Sequence, residues 1–191
     1  GIDAMTHAIE AYVSKKSSVY SDMQAISAMK LIGPSLRQVY QNPCDANARE
    51  KMMIGSTLAG IAFSNASVAL VHGMSRPIGA SYHVPHGLSN AMLLPTVTEY
   101  SIPGAPDRYA DCARAIGAAN YNDTSDVAIN KLMDELVSLN RELQVPSLKE
   151  FGVDGNHFAT NLQTMAKQAI SSGSPSNLSL IHISEPTRLS W

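Results

Sequence analysis

The sequence predicts an all-α helical bundle. Apolar residues recur at three- and four-residue spacing through every long segment, as one face of a 3.6-residue helix requires. Ser, Asp, Gly and Pro punctuate those segments where helices begin and end. No strand pattern of substance, no internal repeat and no glycine-rich strand-to-helix turn is present.

Taken in order, residues 3–15 read as a helix, with Ile2, Met5, Ile9 and Val13 in register. Residues 20–41 place Met23, Ile26, Met29, Ile32, Leu36 and Tyr40 at helical spacing, with Ser21 and Asp22 as the cap signal. The methionines read as core filler. Gly33-Pro34 predicts a kink or break, because proline lacks the N–H that the helix uses. Residues 45–65 start at Asp45 and carry Ala48, Met52, Ile54, Leu58, Ile61 and Phe63. Residues 67–80 read as a buried helix that Pro77 and Gly79 end or bend. A further helix spans 88–100, limited by Pro95, and residues 106–118 and 124–142 are two amphipathic helices. The last helix covers 154–171, capped by Asp154 or Asn156, with His157 on the surface.

The informative residues interrupt this scaffold. His72-Gly73 lies in an apolar helix, and His86-Gly87 follows fourteen residues later. Near the start, Asp3 and His7 are four residues apart, so they share a helix face. Three imidazoles and a carboxylate form a plausible site for a divalent transition metal. Glu10, three residues after His7, reads either as a hydrogen-bond partner behind a ligand or as a solvated carboxylate. His83, in the loop before His86, is a rival ligand or a pocket residue, and the pocket is the reading taken here.

Bulk properties narrow the function further. The 191 residues suggest one domain, and 45% hydrophobic content is enough for a sizeable core. A net charge of −2 with 16% charged residues leaves no basic footprint for nucleic acid and no polybasic membrane patch. No apolar run approaches the roughly 20 residues of a membrane span. Cys44 and Cys112 lie far apart and outside any CxxC pattern, which fits a reducing, cytoplasmic setting. Residues 178–188 resemble a translated sequencing-library adapter. Residues 178–191 are therefore expected to be a non-native tail, and His182 and Trp191 are set aside. On that expectation residues 1–177 are an internal piece of a longer protein.

Four stretches, in this order and spacing, resemble the iron-containing (group III) alcohol dehydrogenases. They are Gly-Ile-Asp-Ala-Met-Thr-His-Ala-Ile-Glu-Ala-Tyr (1–12), Ala-Gly-Ile-Ala-Phe-Ser-Asn (59–65), Leu-Val-His-Gly-Met (70–74) and Pro-His-Gly-Leu-Ser-Asn-Ala-Met-Leu-Leu-Pro (85–95). The resemblance implies the helical C-terminal domain of a two-domain dehydrogenase, whose Rossmann-like α/β half holds most of the NAD or NADP site. It implies Asp3, His7, His72 and His86 as ligands of Fe²⁺, or of Zn²⁺ as in some members, and Phe63 as a neighbour of nicotinamide and substrate. It also implies a homodimeric parent and small alcohol or aldehyde substrates.

Many relatives carry a histidine four residues after the His72 equivalent, where this chain has Arg76. Arginine is a poor general acid or base but binds anions in bidentate fashion. Arg76 is therefore expected in the catalytic pocket with a bias toward substrates bearing an anionic group, or else paired with a local carboxylate. His83 is one candidate for the proton route, beside bound water and the ribose hydroxyls. Two other readings are a non-catalytic metal-binding bundle and a metal-dependent hydrolase. The hydrolase would ordinarily show a His-Asp dipeptide, which is absent.

Overall fold

A computed structural model describes residues 1–173 as helices joined by short connections. The tail expected at 178–191 lies outside the described residues. The elements are α1 (Ile2–Tyr12), α2 (Val19–Gln41), α3 (Ala46–Ala66), α4 (Leu70–Tyr82), α5 (His86–Ser101), a 3₁₀ turn (Ile102–Gly104), α6 (Pro106–Ile116), α7 (Ser125–Glu142) and α8 (Gly155–Ser171). Among the described residues there is no strand, and no single helix is long and apolar enough to cross a membrane.

Helix α1 is the hub. It packs on α2, α3 and α5 and touches α4, so its buried face (Met5, Ala8, Ile9) lies at the centre of the core. Helix α2 runs beside α3 and contacts α6, α4 packs on α5 and α8, and α7 packs on α5 and α6. Arg108 ties α6 to the end of α1 and to α2. Its Nε donates to the Tyr12 carbonyl at 2.7 Å and its Nη2 to Asp22 at 2.6 Å.

None of the prolines expected to break or end a helix does so, for identifiable reasons. Helix α2 runs unbroken through Gly33-Pro34. Pro34 faces solvent, so the carbonyl it leaves unbonded, on exposed Lys30, is open to water. Gly33 is buried against the backbone of Ile116, and a Cβ there would collide with that carbonyl. The glycine thus serves the close approach of α2 and α6, not a break. Helix α5 likewise continues past Pro95 to Ser101. The Ala91 carbonyl that Pro95 releases accepts a hydrogen bond from Asn140 Nδ2 on α7, at 2.7 Å. Helix α4 also passes Pro77 and Gly79 and ends at Tyr82, with His83 as a left-handed C-cap (φ 57°).

Two further expectations are corrected. The N-cap of α2 is Ser18, in a capping box whose reciprocal partner is Ser21. Met23 and Tyr40 are not core: they are 62% and 49% exposed, because α2 turns Ala25, Ala28, Met29, Ile32 and Leu36 inward. Asp45, Thr124 and Asp154 cap α3, α7 and α8.

Candidate metal centre

Three helices bring the four sequence-predicted ligands together. Asp3 and His7 project from the first two turns of α1. His72 sits in the first turn of α4, and His86 is the first residue of α5. One donor atom from each lies within 4.8 Å of all the others. Asp3 carboxylate oxygens are 3.8 Å from His7 Nδ1, 3.8 Å from His72 Nε2 and 3.7 Å from His86 Nε2. Ligand atoms about 2.1 Å from a common ion in tetrahedral array are roughly 3.4 Å apart, so the cluster has the right size. Gly87 allows the approach of α5 to α1, since a Cβ on it would already stand 3.3 Å from Asp3 Cβ.

The hydrogen bonding around the cluster suits a cation. Asn90, fully buried one turn after His86, donates from Nδ2 to Asp3 Oδ1 at 2.5 Å. The same nitrogen is 3.1 Å from His72 Nε2 and 3.2 Å from His86 Nε2, while Asn90 Oδ1 is buried without a partner among the described residues. Two amide protons thus face three acceptors. Lone pairs converging on one point with too few protons are the environment that a cation satisfies. Neutral imidazole nitrogen and carboxylate oxygen are the donor types borderline divalent metals prefer. The residues present fit a metal ion.

Glu10 resolves as the buried partner of His72. It is 2% exposed, and its Oε2 accepts from His72 Nδ1 at 2.6 Å and from the Ala69 N–H at 3.0 Å. Its Oε1 accepts from the Val71 N–H. With a carboxylate on Nδ1, the ring proton stays there and Nε2 presents its lone pair to the centre. The same carboxylate caps α4, which begins at Ala69 without a side-chain cap of its own. One residue of α1 therefore both orients a ligand and anchors the helix that carries it.

Burial lowers the His7 pKa, helped by the neighbouring His72 ring and opposed by Asp3. Neutral imidazole, the ligating form, is favoured. Phe63 of α3 stacks on His7, with centroids 4.3 Å apart and planes at 27°.

A cleft of about 560 Å³ opens beside the cluster, lined by His7, His72, His86, Phe63, Arg76 and Lys16 among others. Ser67, also in its wall, has φ 65° and ψ 176°, a region almost confined to glycine, costing about 1–3 kcal/mol. It lies where α3 and α4 meet at 100°. Of the residues picked from sequence, Phe63 and Arg76 line the cleft. His83 does not: it is exposed at the end of α4, where its left-handed cap conformation turns the chain toward α5. Sequence reading missed Asn90 and Lys16. Asn90 had a signal, four residues after His86 on one helix face, whereas Lys16 had none.

Comparison with known proteins decides the family. The model of the Fe-containing alcohol dehydrogenase family, C-terminal, matches residues 1–187. The chain belongs to the iron-containing alcohol dehydrogenase family. Its helical bundle is that family's C-terminal domain, and the family's members are enzymes that use a metal and NAD(P). The chain is 37% identical over 171 residues to the NADPH-dependent butanol dehydrogenase of Clostridium saccharobutylicum, covering 89% of this chain and 43% of that protein. It is 34% identical over 192 residues to the lactaldehyde reductase of Escherichia coli K12, covering 100% and 50% respectively. The structure of an alcohol dehydrogenase from Oenococcus oeni superposes with a TM-score of 0.84 at 34% identity, covering 92% of this chain and 45% of that one. The chain thus spans about half the length of the relatives it matches.

Proposed function

We propose that the chain supplies the metal and substrate half of an NAD(P)-linked oxidoreductase that interconverts small primary alcohols and aldehydes. The observation that carries this reading is the convergence of Asp3, His7, His72 and His86 within 4.8 Å at the wall of an open cleft. These four residues would hold the ion, Fe²⁺ in the first instance and Zn²⁺ as the alternative. A bound divalent ion supplies Lewis acidity toward an alcohol or aldehyde oxygen.

The chain's own residues do the rest. Glu10 fixes the His72 ring and Asn90 holds the Asp3 carboxylate, so the donors are set before substrate arrives. Phe63 stacks on His7 and narrows the apolar wall. NAD or NADP, held mainly by the family's Rossmann-like half, would supply the hydride acceptor or donor. Arg76 stays protonated and does not relay protons. The proton exchanged with substrate passes through solvent in the open cleft, and His83, exposed outside the lining, is not on that route. The parent protein is read as a cytoplasmic homodimer.

Metal content by elemental analysis, beside a His86→Ala variant, tests the ligand set. About one ion per chain, lost in the variant, is expected. Assay of the metal-loaded whole protein with NADH and NADPH on short aldehydes tests the reaction. Bound metal without turnover would leave the non-catalytic metal-binding bundle as the correct reading.

A further inference from the structure

Asn90 touches more of the cluster than one carboxylate. It sits on α5, one turn beyond His86, and is fully buried. Its amide nitrogen lies 2.5 Å from Asp3 Oδ1, 3.1 Å from His72 Nε2 and 3.2 Å from His86 Nε2. Three of the four candidate ligands, carried by α1, α4 and α5, therefore meet on one nitrogen.

These contacts use the electron pairs that a metal would use. His72 Nδ1 donates to Glu10 Oε2 at 2.6 Å, so its Nε2 is left with a single in-plane lone pair. That lone pair takes either an N–H from Asn90 or a cation, and it cannot take both. The same choice applies at His86 Nε2. Nitrogen is the end of the amide that suits the donors, since a carbonyl in its place would set four acceptors against one another. A cation inverts the preference: it occupies the lone pairs and repels the N–H dipoles. The other end of the amide is unanchored. Asn90 Oδ1 has no partner among the described residues, so no hydrogen bond on that side opposes a turn about the soft terminal torsion.

We propose that Asn90 is a positioning residue that competes with the metal. In the metal-free protein its amide protons hold Asp3, His72 and His86 together, and the side chain turns away as an ion takes those lone pairs. This rests on the four-ligand reading above. Without a proton or a cation, the converging donors repel one another, and Asn90 relieves that repulsion before loading. Whatever it adds to the metal-free fold over the loaded one is subtracted from the apparent metal affinity.

The test uses zinc, which is diamagnetic, and the whole protein stripped of metal by a chelator. Zinc Kd is measured by chelator competition in the parent and in Asn90→Ala. The cavity left by alanine weighs on both states alike and cancels from Kd. Asn90→Ala is expected to bind zinc about tenfold more tightly, as the loss of roughly one competing hydrogen bond implies. Its melting temperature should fall further below the parent's without zinc than with it. A Kd within about twofold of the parent's, or a weaker one, overturns the proposal. NMR of the parent gives a second reading that needs no variant. The Asn90 amide protons should show Overhauser contacts to the ring protons of His72 and His86 without metal and lose them with zinc bound. Contacts that persist on loading, or are missing beforehand, overturn the proposal while leaving the ligand set intact. A parent that binds no zinc overturns the four-ligand reading itself, and the proposal with it.

Discussion

Replacing Glu10 by Gln keeps the shape of the side chain and removes the charge that α4 and His72 share. In the parent, Oε2 faces the Ala69 N–H and His72 Nδ1 while Oε1 faces the Val71 N–H, all at a site 2% exposed. Glutamine has one carbonyl oxygen. If it takes the Oε2 position, its NH₂ meets the Val71 N–H, donor against donor, and a buried group left unsatisfied costs about 1–3 kcal/mol. Loss of a negative charge at a helix N-terminus adds roughly 0.3–2 kcal/mol. The sum is roughly 1–5 kcal/mol, a large share of the 5–15 kcal/mol typical of a domain. If instead the NH₂ meets His72 Nδ1, that nitrogen must accept, the ring proton moves to Nε2, and Nε2 no longer offers a lone pair to the centre. Either arrangement weakens metal binding, by about 10–100-fold. Denaturant unfolding of the metal-free chain reads the first effect, and chelator-competition titration reads the second. Nitrogen NMR of His72 reports which ring nitrogen carries the proton. A variant that loses stability yet binds metal within twofold of the parent would refute the tautomer role and leave Glu10 as a helix cap alone.

Gly33→Ala is expected to lower stability by about 1–3 kcal/mol, since the new methyl meets the Ile116 backbone, which cannot swing aside as a side chain would. At about 2–4 °C per kcal/mol for a chain of this size, calorimetry should show a fall of roughly 2–12 °C. Asn140→Ala strips the Ala91 carbonyl of its partner beside Pro95 and is expected to cost about 1–3 kcal/mol in denaturant unfolding. The pH dependence follows from His7, whose folded-state pKa lies below the ordinary 6.5 because of burial. The unfolded chain then takes up the proton first. This contribution to stability is present above the unfolded value and is lost as pH falls through the folded one. Melting of the metal-free chain between about pH 7.5 and about pH 5.5 should therefore show a smaller decline in His7→Gln than in the parent. An equal decline would mean that His7 protonates freely in the fold.

The helices were legible because each is written locally. Periodicity, caps such as Asp45 and Asp154, and Pro106 at the start of α6 act within a few residues of one another. The four candidate ligands were legible for a related reason: Asp3 and His7 share a helix face by spacing alone, and the two His-Gly pairs are conspicuous in apolar surroundings. The helices do not end at these prolines, because a proline's cost depends on where its orphaned carbonyl goes. At Pro34 it belongs to the exposed Lys30, and at Pro95 it is the Ala91 carbonyl, which Asn140 on another helix bonds. Glu10 was left between two readings, because nothing in positions 1–15 says that the start of α4 will arrive against it. His83 looked like a pocket residue by proximity to His86, yet the left-handed turn at the end of α4 leaves it outside the cleft. Lys16 and Arg76, sixty residues apart, line one cleft only because α3 and α4 meet at 100°. Sequence by itself determined the elements, their order and the donor types, since these depend on neighbours along the chain. Tertiary structure alone decided which carboxylate is buried, which amide faces the donors and which charges share a cleft. Those properties follow from desolvation and contact between segments whose separation in sequence carries no record of their approach.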